Sequence, residues 1–384
     1  QLEFKNISFS NIAAQNDRFG EIILTTQQEL TLEGLSYSGS SILNKYTGYI
    51  GLHMSGVKKL EYIDCNFSFE SVIEPSYILV NTNSEITEYS FSSCQFPSID
   101  IQDTDYVCCG IFYSDQANID KISFDDCLWT KISKADGSIF ASPQSLTELS
   151  FSSCRFIGCS SNTGGVLYCE TSTIHVQYCT FDNNECNTPI LSVHGANFDL
   201  AYSTFSNCRS TTSASSLFCD SPTSLSIDGC TFELSDQPEQ TIPAIKLLNV
   251  PQFQFGNTII QNYKLTGIDN YLVHISYTSG TTVTQTFTNL TFEHNECNGL
   301  YRGGTGIYIK GQNARITFSK CNFIENIALQ NTSATRPIDI GLNSPYCNGD
   351  GGAIQIGYDQ DTKDIIFTFN QCLFRGNKAM RHGG

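Results

Sequence analysis

The sequence predicts an all-β protein: a single-stranded right-handed parallel β-helix (solenoid) of about 13 coils. Three observations predict it. One eight-residue template recurs along the whole chain, the apolar positions within it alternate with period two, and successive copies are spaced by 24 to 33 residues with one exception.

The template is apolar-x-apolar-x-x-Cys-x-aromatic. It reads Tyr89, Phe91, Cys94, Phe96 in one copy and Ile122, Phe124, Cys127, Trp129 in the next; Leu149, Phe151, Cys154, Phe156 and Ile174, Val176, Cys179, Phe181 follow. Further copies run through Leu60, Tyr62, Cys65 and Phe67, through Leu225, Ile227, Cys230 and Phe232, through Ile316, Phe318, Cys321 and Phe323, and through Phe367, Phe369, Cys372 and Phe374. Degenerate copies fill the gaps, with Ser203, Thr258 or an aliphatic residue where cysteine stands elsewhere.

The residue three before the cysteine slot marks each copy. The markers are Phe4, Leu32, Tyr62, Phe91, Phe124, Phe151, Val176, Leu200, Ile227, Phe255, Phe287, Phe318 and Phe369. The last spacing is 51, and its excess, rich in Ser, Asn, Pro and Gly, reads as a loop insertion over 327–350 within a coil. Each copy also carries an earlier apolar run behind small residues, as in Gly164-Gly165-Val166-Leu167, Ser215-Ser216-Leu217-Phe218 and Gly351-Gly352-Ala353-Ile354.

A unit of this size with two or three short strands cannot bury its apolar positions alone, whereas stacked copies bury them continuously. Neighbouring coils would then pair about 4.8 Å apart, giving a rod roughly 60 Å long, wound right-handed by strand sterics. The chain, 1–384, reads as one continuous helix. It opens inside a coil at Phe4 and closes on His382-Gly383-Gly384, which would begin another small-residue strand, so a fragment of a longer chain is expected.

A net charge of −17 argues against nucleic-acid partners. No run approaches eighteen apolar residues, so no membrane insertion by this segment is expected. Seventeen cysteines, with sequons at Asn6, Asn66, Asn289 and Asn331, favour an extracellular or cell-surface location and a glycoprotein.

Eight cysteines share the template slot: Cys65, Cys94, Cys127, Cys154, Cys179, Cys230, Cys321 and Cys372. They are expected to form an interior column of small buried thiols, because in-register side chains keep their Cβ atoms near the rung spacing, beyond the usual disulfide range. Off-column cysteines such as Cys159 and Cys208, or Cys186 and Cys297, are the better disulfide candidates. Without CxxC doublets or spaced His pairs, no structural metal and no cofactor is expected.

Behind the final aromatic, Asn184, Asn295, Asn326 and Asn377 recur as Phe-x-x-Asn. Asparagine suits a solenoid turn because it tolerates the left-handed backbone region and its amide can satisfy backbone groups of the next coil. Phe323-x-x-Asn326 with Gly351-Gly352-Ala353-Ile354 resembles the paired repeat of the chlamydial polymorphic outer membrane proteins and of similar protist surface proteins. The resemblance implies a surface-displayed right-handed β-helix used in adhesion. Complete motif pairs are confined to the C-terminal third, and this sequence itself contains no barrel segment.

The main rival is a pectin lyase-like helix that binds or cleaves carbohydrate. Of the polygalacturonase signatures only Asp125-Asp126 is present, and it reads as a solvated flank of a core strand. The histidines, His53, His175, His194, His274, His294 and His382, fall in different slots, and Asp359, Asp361 and Asp364 lack the glycine and closing glutamate of a calcium loop. The expected function is a non-enzymatic structural or adhesive rod of a cell-surface filament or coat. Its expected partners are other protein chains or extracellular ligands, glycans among them, with lateral loops such as 331–350 as contact points.

Overall fold

A computed structural model describes residues 2–5, 8–10, 24–34, 36–39, 50–51, 54–69, 79–81, 87–97, 100–101, 112–114, 119–134, 138–142, 146–171, 173–235, 239–278, 282–310, 314–330, 353–356 and 366–379. The protein is a right-handed parallel β-helix, all-β in its described residues. No helix among those residues is long and apolar enough to cross a membrane. The chain divides into two compact units, Gln1–Ser192 and Val193–Gly384.

In the first unit the first face holds seven parallel strands, Leu2–Lys5, Leu24–Glu33, Met54–Ile63, Glu88–Ser92, Ile119–Asp125, Leu146–Ser152 and Thr173–Gln177. The second unit contributes six, from Asn197–Ala201 to Ile366–Asn370. A compact body therefore carries about seven turns, where the sequence pointed to about 13 in one run.

The markers pair with one another. Phe4 lies opposite Leu32, Leu32 opposite Tyr62, Tyr62 opposite Phe91, and the sequence continues through Phe124 and Phe151 to Val176. In the second unit the same pairing runs from Leu200 through Ile227, Phe255, Phe287 and Phe318 to Phe369. The markers from Tyr62 to Phe318 are buried, and a slip of one residue would turn them to solvent, so burial itself fixes the register there.

The short strand that follows each marker forms the second face and carries the template aromatic inward. Phe67 stacks on Phe96 at 5.1 Å, Phe96 on Trp129 at 5.1 Å, Trp129 on Phe156 at 4.4 Å and Phe156 on Phe181 at 4.9 Å. A marker ladder runs beside it, Tyr62 to Phe91 at 4.9 Å, Phe91 to Phe124 at 4.7 Å and Phe124 to Phe151 at 4.9 Å. Each such pair adds about 0.5–1.5 kcal/mol beyond the area it buries.

Between these two faces the chain turns through a residue with positive φ: Asp64, Ser93, Asp126, Ser153 and Tyr178 in the first unit, and Tyr202, Asn257, Asn289, Lys320 and Gln371 in the second. The turn keeps the ladder unbroken, because its own N–H reaches the following coil, as Asp126 N does to Ser152 O at 2.9 Å and Ser153 N to Gln177 O at 3.0 Å.

The third face lies beyond the Phe-x-x-Asn turn and contains the run behind the small residues, as in Leu167–Cys169, Leu217–Asp220 and Ile245–Val250. Smallness there has a steric cause. A Cβ on Gly165 would collide with the Pro189 carbonyl of the next coil, and one on Gly306 with that of Ala353.

The insertion expected over 327–350 begins later than the sequence indicated. Ile327–Gln330 is a strand of the third face, paired with Glu296–Lys310, and Ile327 and Ala328 also pair with Lys378 and Ala379. These residues leave the Asn326 turn as Glu296 leaves the Asn295 turn; 331–350 lies outside the described residues.

Candidate functional site

The slots singled out by the sequence are inside the helix. Cys65, Cys94, Cys127, Cys154, Cys179, Cys230 and Cys321 are buried, and Cys372 is partly exposed. The slot follows the left-handed turn directly, so each thiol faces carbonyls at the end of the first-face strands. Cys154 Sγ lies 3.3 Å from the Ser152 carbonyl and 3.5 Å from that of Phe124, one coil back. Cys127, Cys179, Cys230, Cys321 and Cys372 repeat this pair of contacts at 3.3–3.7 Å.

The slot is thus a polar cap within an apolar column, more than a space for a small hydrophobe. This explains the degenerate copies: Ser203 Oγ donates to the Ala201 carbonyl at 2.9 Å and Thr258 Oγ1 to that of Gly256 at 2.7 Å. Burial pushes the Cys159 and Cys230 thiols up to about 12.

The off-column cysteines correct the disulfide expectation. Cys159, Cys169, Cys186, Cys208, Cys219 and Cys297 are buried, and no disulfide joins them to one another. Cys159 occupies the place that asparagine takes in later coils, and its Sγ lies 3.8 Å from both the Ile157 and Trp129 carbonyls. Their recurrence reflects the same inward slots repeating, so cysteine number carries no statement about compartment. Cys108, Cys109 and Cys347 lie outside the described residues.

The asparagines brace the second turn. Asn184 Oδ1 accepts from Cys159 N at 2.8 Å while its Nδ2 donates to Phe156 O at 2.9 Å. Asn295, Asn326 and Asn377 repeat this on successive coils, accepting from Tyr263 N, Asn295 N and Asn326 N and donating to the carbonyls of Ile260, Phe292 and Phe323. The left-handed residue is the one before each asparagine, Asn183, His294, Glu325 and Gly376, and not the asparagine itself. A buried amide with both ends engaged across coils requires an ordinary extended backbone, so the strain passes to its exposed neighbour.

Outward-facing columns, which the sequence reading missed, also run from coil to coil. In the first unit Lys59, Glu88, Lys121 and Glu148 lie in one file of alternating sign. Lys121 Nζ meets Glu148 Oε1 at 2.7 Å. In the second unit Asn289 Nδ2 donates to Asn257 Oδ1 at 2.9 Å, and Asn257 Nδ2 to Asp228 Oδ1 at 2.7 Å.

Of the sequons, Asn289 is exposed at a turn, whereas Asn66 is half-buried at the start of a second-face strand, with its Oδ1 buried and unbonded among the described residues. Asn6 and Asn331 lie outside the described residues. No family model, curated protein or solved structure matches this chain. Its function has to be read from its own geometry.

Asp125 and Asp126 flank a core strand at the surface, where Asp125 O accepts from Ser93 N at 2.9 Å and Asp126 forms the turn. Among the described residues no three His, Cys, Asp or Glu side chains gather in a way that could hold a metal ion. His175 lies on the first face of the first unit, and His294 sits at a second-face turn, 3.2 Å from Glu325. His194 and His274 both lie on strands of the third face in the second unit but in different files, His274 opposite Lys246 and His194 beside Asp220. His53 and His382, like Asp359, Asp361 and Asp364, lie outside the described residues.

Proposed function

We propose that this chain is a non-enzymatic extracellular rod, a structural and adhesive element of a cell-surface filament or coat that joins other protein chains or extracellular ligands. The observation supporting this reading is how the polar side chains are used. Thiols and asparagines cap backbone groups inside, while carboxylates, amines and amides outside pair along files such as Glu88–Lys121–Glu148 and Asp228–Asn257–Asn289. Side chains spent on coil-to-coil pairing serve persistence of a surface; catalysis needs them converged on one reacting point.

The resemblance of Phe323-x-x-Asn326 and Gly351-Gly352-Ala353-Ile354 to the repeats of polymorphic outer membrane proteins supports the same reading. So does Asn289. It is exposed at a turn and its Nδ2 gives one N–H to Asn257, leaving the other position for a glycan without loss of the pairing. Glycopeptide mass spectrometry of the native protein tests the proposal: a glycan on Asn289 is the expected result, and a bare Asn289 in a protein recovered from the cytosol overturns it.

A further inference from the structure

The longest unbroken run of the cysteine slot lies in the first unit. Cys65, Cys94, Cys127, Cys154 and Cys179 follow one another on consecutive coils. The backbone bonds Gln95 N to Cys65 O, Leu128 N to Cys94 O, Arg155 N to Cys127 O and Thr180 N to Cys154 O fix their register. The side chains repeat as closely as the backbone. From Cys65 to Cys179 each sulfur lies 3.3–3.4 Å from the carbonyl two residues before it, so every sulfur is displaced from the last by one coil, about 4.8 Å. All five residues are at most 1% exposed. The thiols of Cys154 and Cys94 hold Cys127 below the ordinary thiol value, so neighbouring sulfurs are close enough to interact along the column.

We propose that this column binds a soft monovalent cation, copper(I), in linear two-coordinate sites between successive sulfurs. A metal–thiolate bond is about 2.3 Å, so two in line span about 4.6 Å, close to the spacing the coils impose. An ion on the line between two sulfurs also needs no cavity beside it. Thiolate is the ligand class that selects copper(I). The same geometry rejects zinc, which takes four ligands around a point, and among the described residues no three ligating side chains gather in that way.

Removing the thiol protons leaves the backbone bonded. The carbonyls that the thiols face keep their ladder donors: Asp126 N reaches Ser152 O at 2.9 Å, Ser93 N reaches Asp125 O at 2.9 Å and Ser153 N reaches Gln177 O at 3.0 Å. Five thiols enclose four gaps. Four ions replacing five thiol protons leave the filled column with one net negative charge and no change of oxidation state. The second unit contains its own contrast. Cys321 and Cys372 are neighbours, joined by Leu373 N to Cys321 O, and form one further gap, whereas Cys230 stands between Ser203 and Thr258 with no cysteine on either side. Nothing in this chemistry depends on the adhesive reading above.

The test is native mass spectrometry of the purified, reduced full chain, held under argon with copper(I) bicinchoninate and, separately, with zinc(II). The buried sulfurs are reached only when coils open locally, so the count is taken once it no longer rises. At least four copper ions are the expected load, with none lost on Cys230→Ser. Cys127→Ser divides the run and removes two ions. Cys65→Ser, at the end of the run, removes one and serves if the central variant does not fold. X-ray absorption should show two sulfur neighbours per copper.

A copper count unchanged in folded Cys127→Ser or Cys65→Ser assigns the ions to cysteines elsewhere and overturns the column as the site. So does an absence of copper uptake, or zinc taken up to the same count.

Discussion

Asn295 Nδ2 donates to Asn326 Oδ1 at 2.9 Å, and the backbone N–H of Asn295 reaches the same oxygen at 3.2 Å. Two coils are thereby tied at a buried turn, between the backbone bonds His294 N to Ile324 O and Ile327 N to Asn295 O. Asn326→Ala removes that acceptor and the donor to Phe292 O, leaving buried backbone groups unsatisfied. The expected cost is about 2–4 kcal/mol, read as a lower urea midpoint, and Asn326→Asp restores the acceptor without the donor. A loss under about 0.5 kcal/mol for Asn326→Ala would contradict the bracing role.

The turn before the cysteine slot makes the opposite prediction. Lys320 is exposed with φ 56° and Tyr178 with φ 56°, so an L side chain is strained at both positions. Replacing Lys320 by Gly relieves that strain, although it frees the unfolded chain, and the expected net gain is up to about 1 kcal/mol. Lys320→Val lowers stability, because branching at Cβ is least compatible with this region. Thermal melts of the two variants should move in opposite directions.

The cysteine slot should accept a hydroxyl. Cys154→Ser retains a donor for the Ser152 and Phe124 carbonyls and is expected to cost about 1 kcal/mol or less, whereas Cys154→Leu overpacks the column and costs about 1–3 kcal/mol. Equal losses for the two variants would show that volume alone governs the slot.

The buried thiols also set an alkaline limit. Cys159 and Cys230 have folded values of about 12 against an ordinary 9.0, so above pH 9 the unfolded chain releases protons that the folded chain retains. Stability is full below that ordinary value and falls as pH rises through 9 to about 12, by at most about 1.4 kcal/mol per pH unit for each thiol. Urea midpoints between pH 8 and pH 11 measure the fall, and Cys159→Ser removes its share.

The charge file of the first unit predicts a salt effect. Lys121→Glu places three carboxylates in succession, at 88, 121 and 148, and lowers stability by about 0.5–2 kcal/mol at low ionic strength. The side chains are about two-fifths exposed, so about 1 M salt should recover most of the loss. A deficit equally large at high salt would mean packing, and not charge, sets the effect.

Much of the helix was legible because its interior is repetitive. Phe91, Phe124 and Phe151 pair as their spacing indicated, since a side chain that must face inward on every coil leaves a trace in residue type. The positive-φ turns left none: Asp64, Ser93, Tyr178 and Lys320 share a backbone state but no chemistry, because their side chains face solvent. The charge file was hidden for another reason. Glu88 and Lys121 hold one template position, three residues before Phe91 and Phe124, but the sign alternates from copy to copy, so no common residue type marks the slot.

The central claim, a rod displayed outside the cell, is tested most directly by labelling intact cells with a membrane-impermeant amine reagent and mapping the modified residues. Lys131 and Lys320, both exposed at turns, should be modified on intact cells to the same extent as on the purified protein. Modification of these lysines only after lysis would place the chain inside the cell and contradict the account.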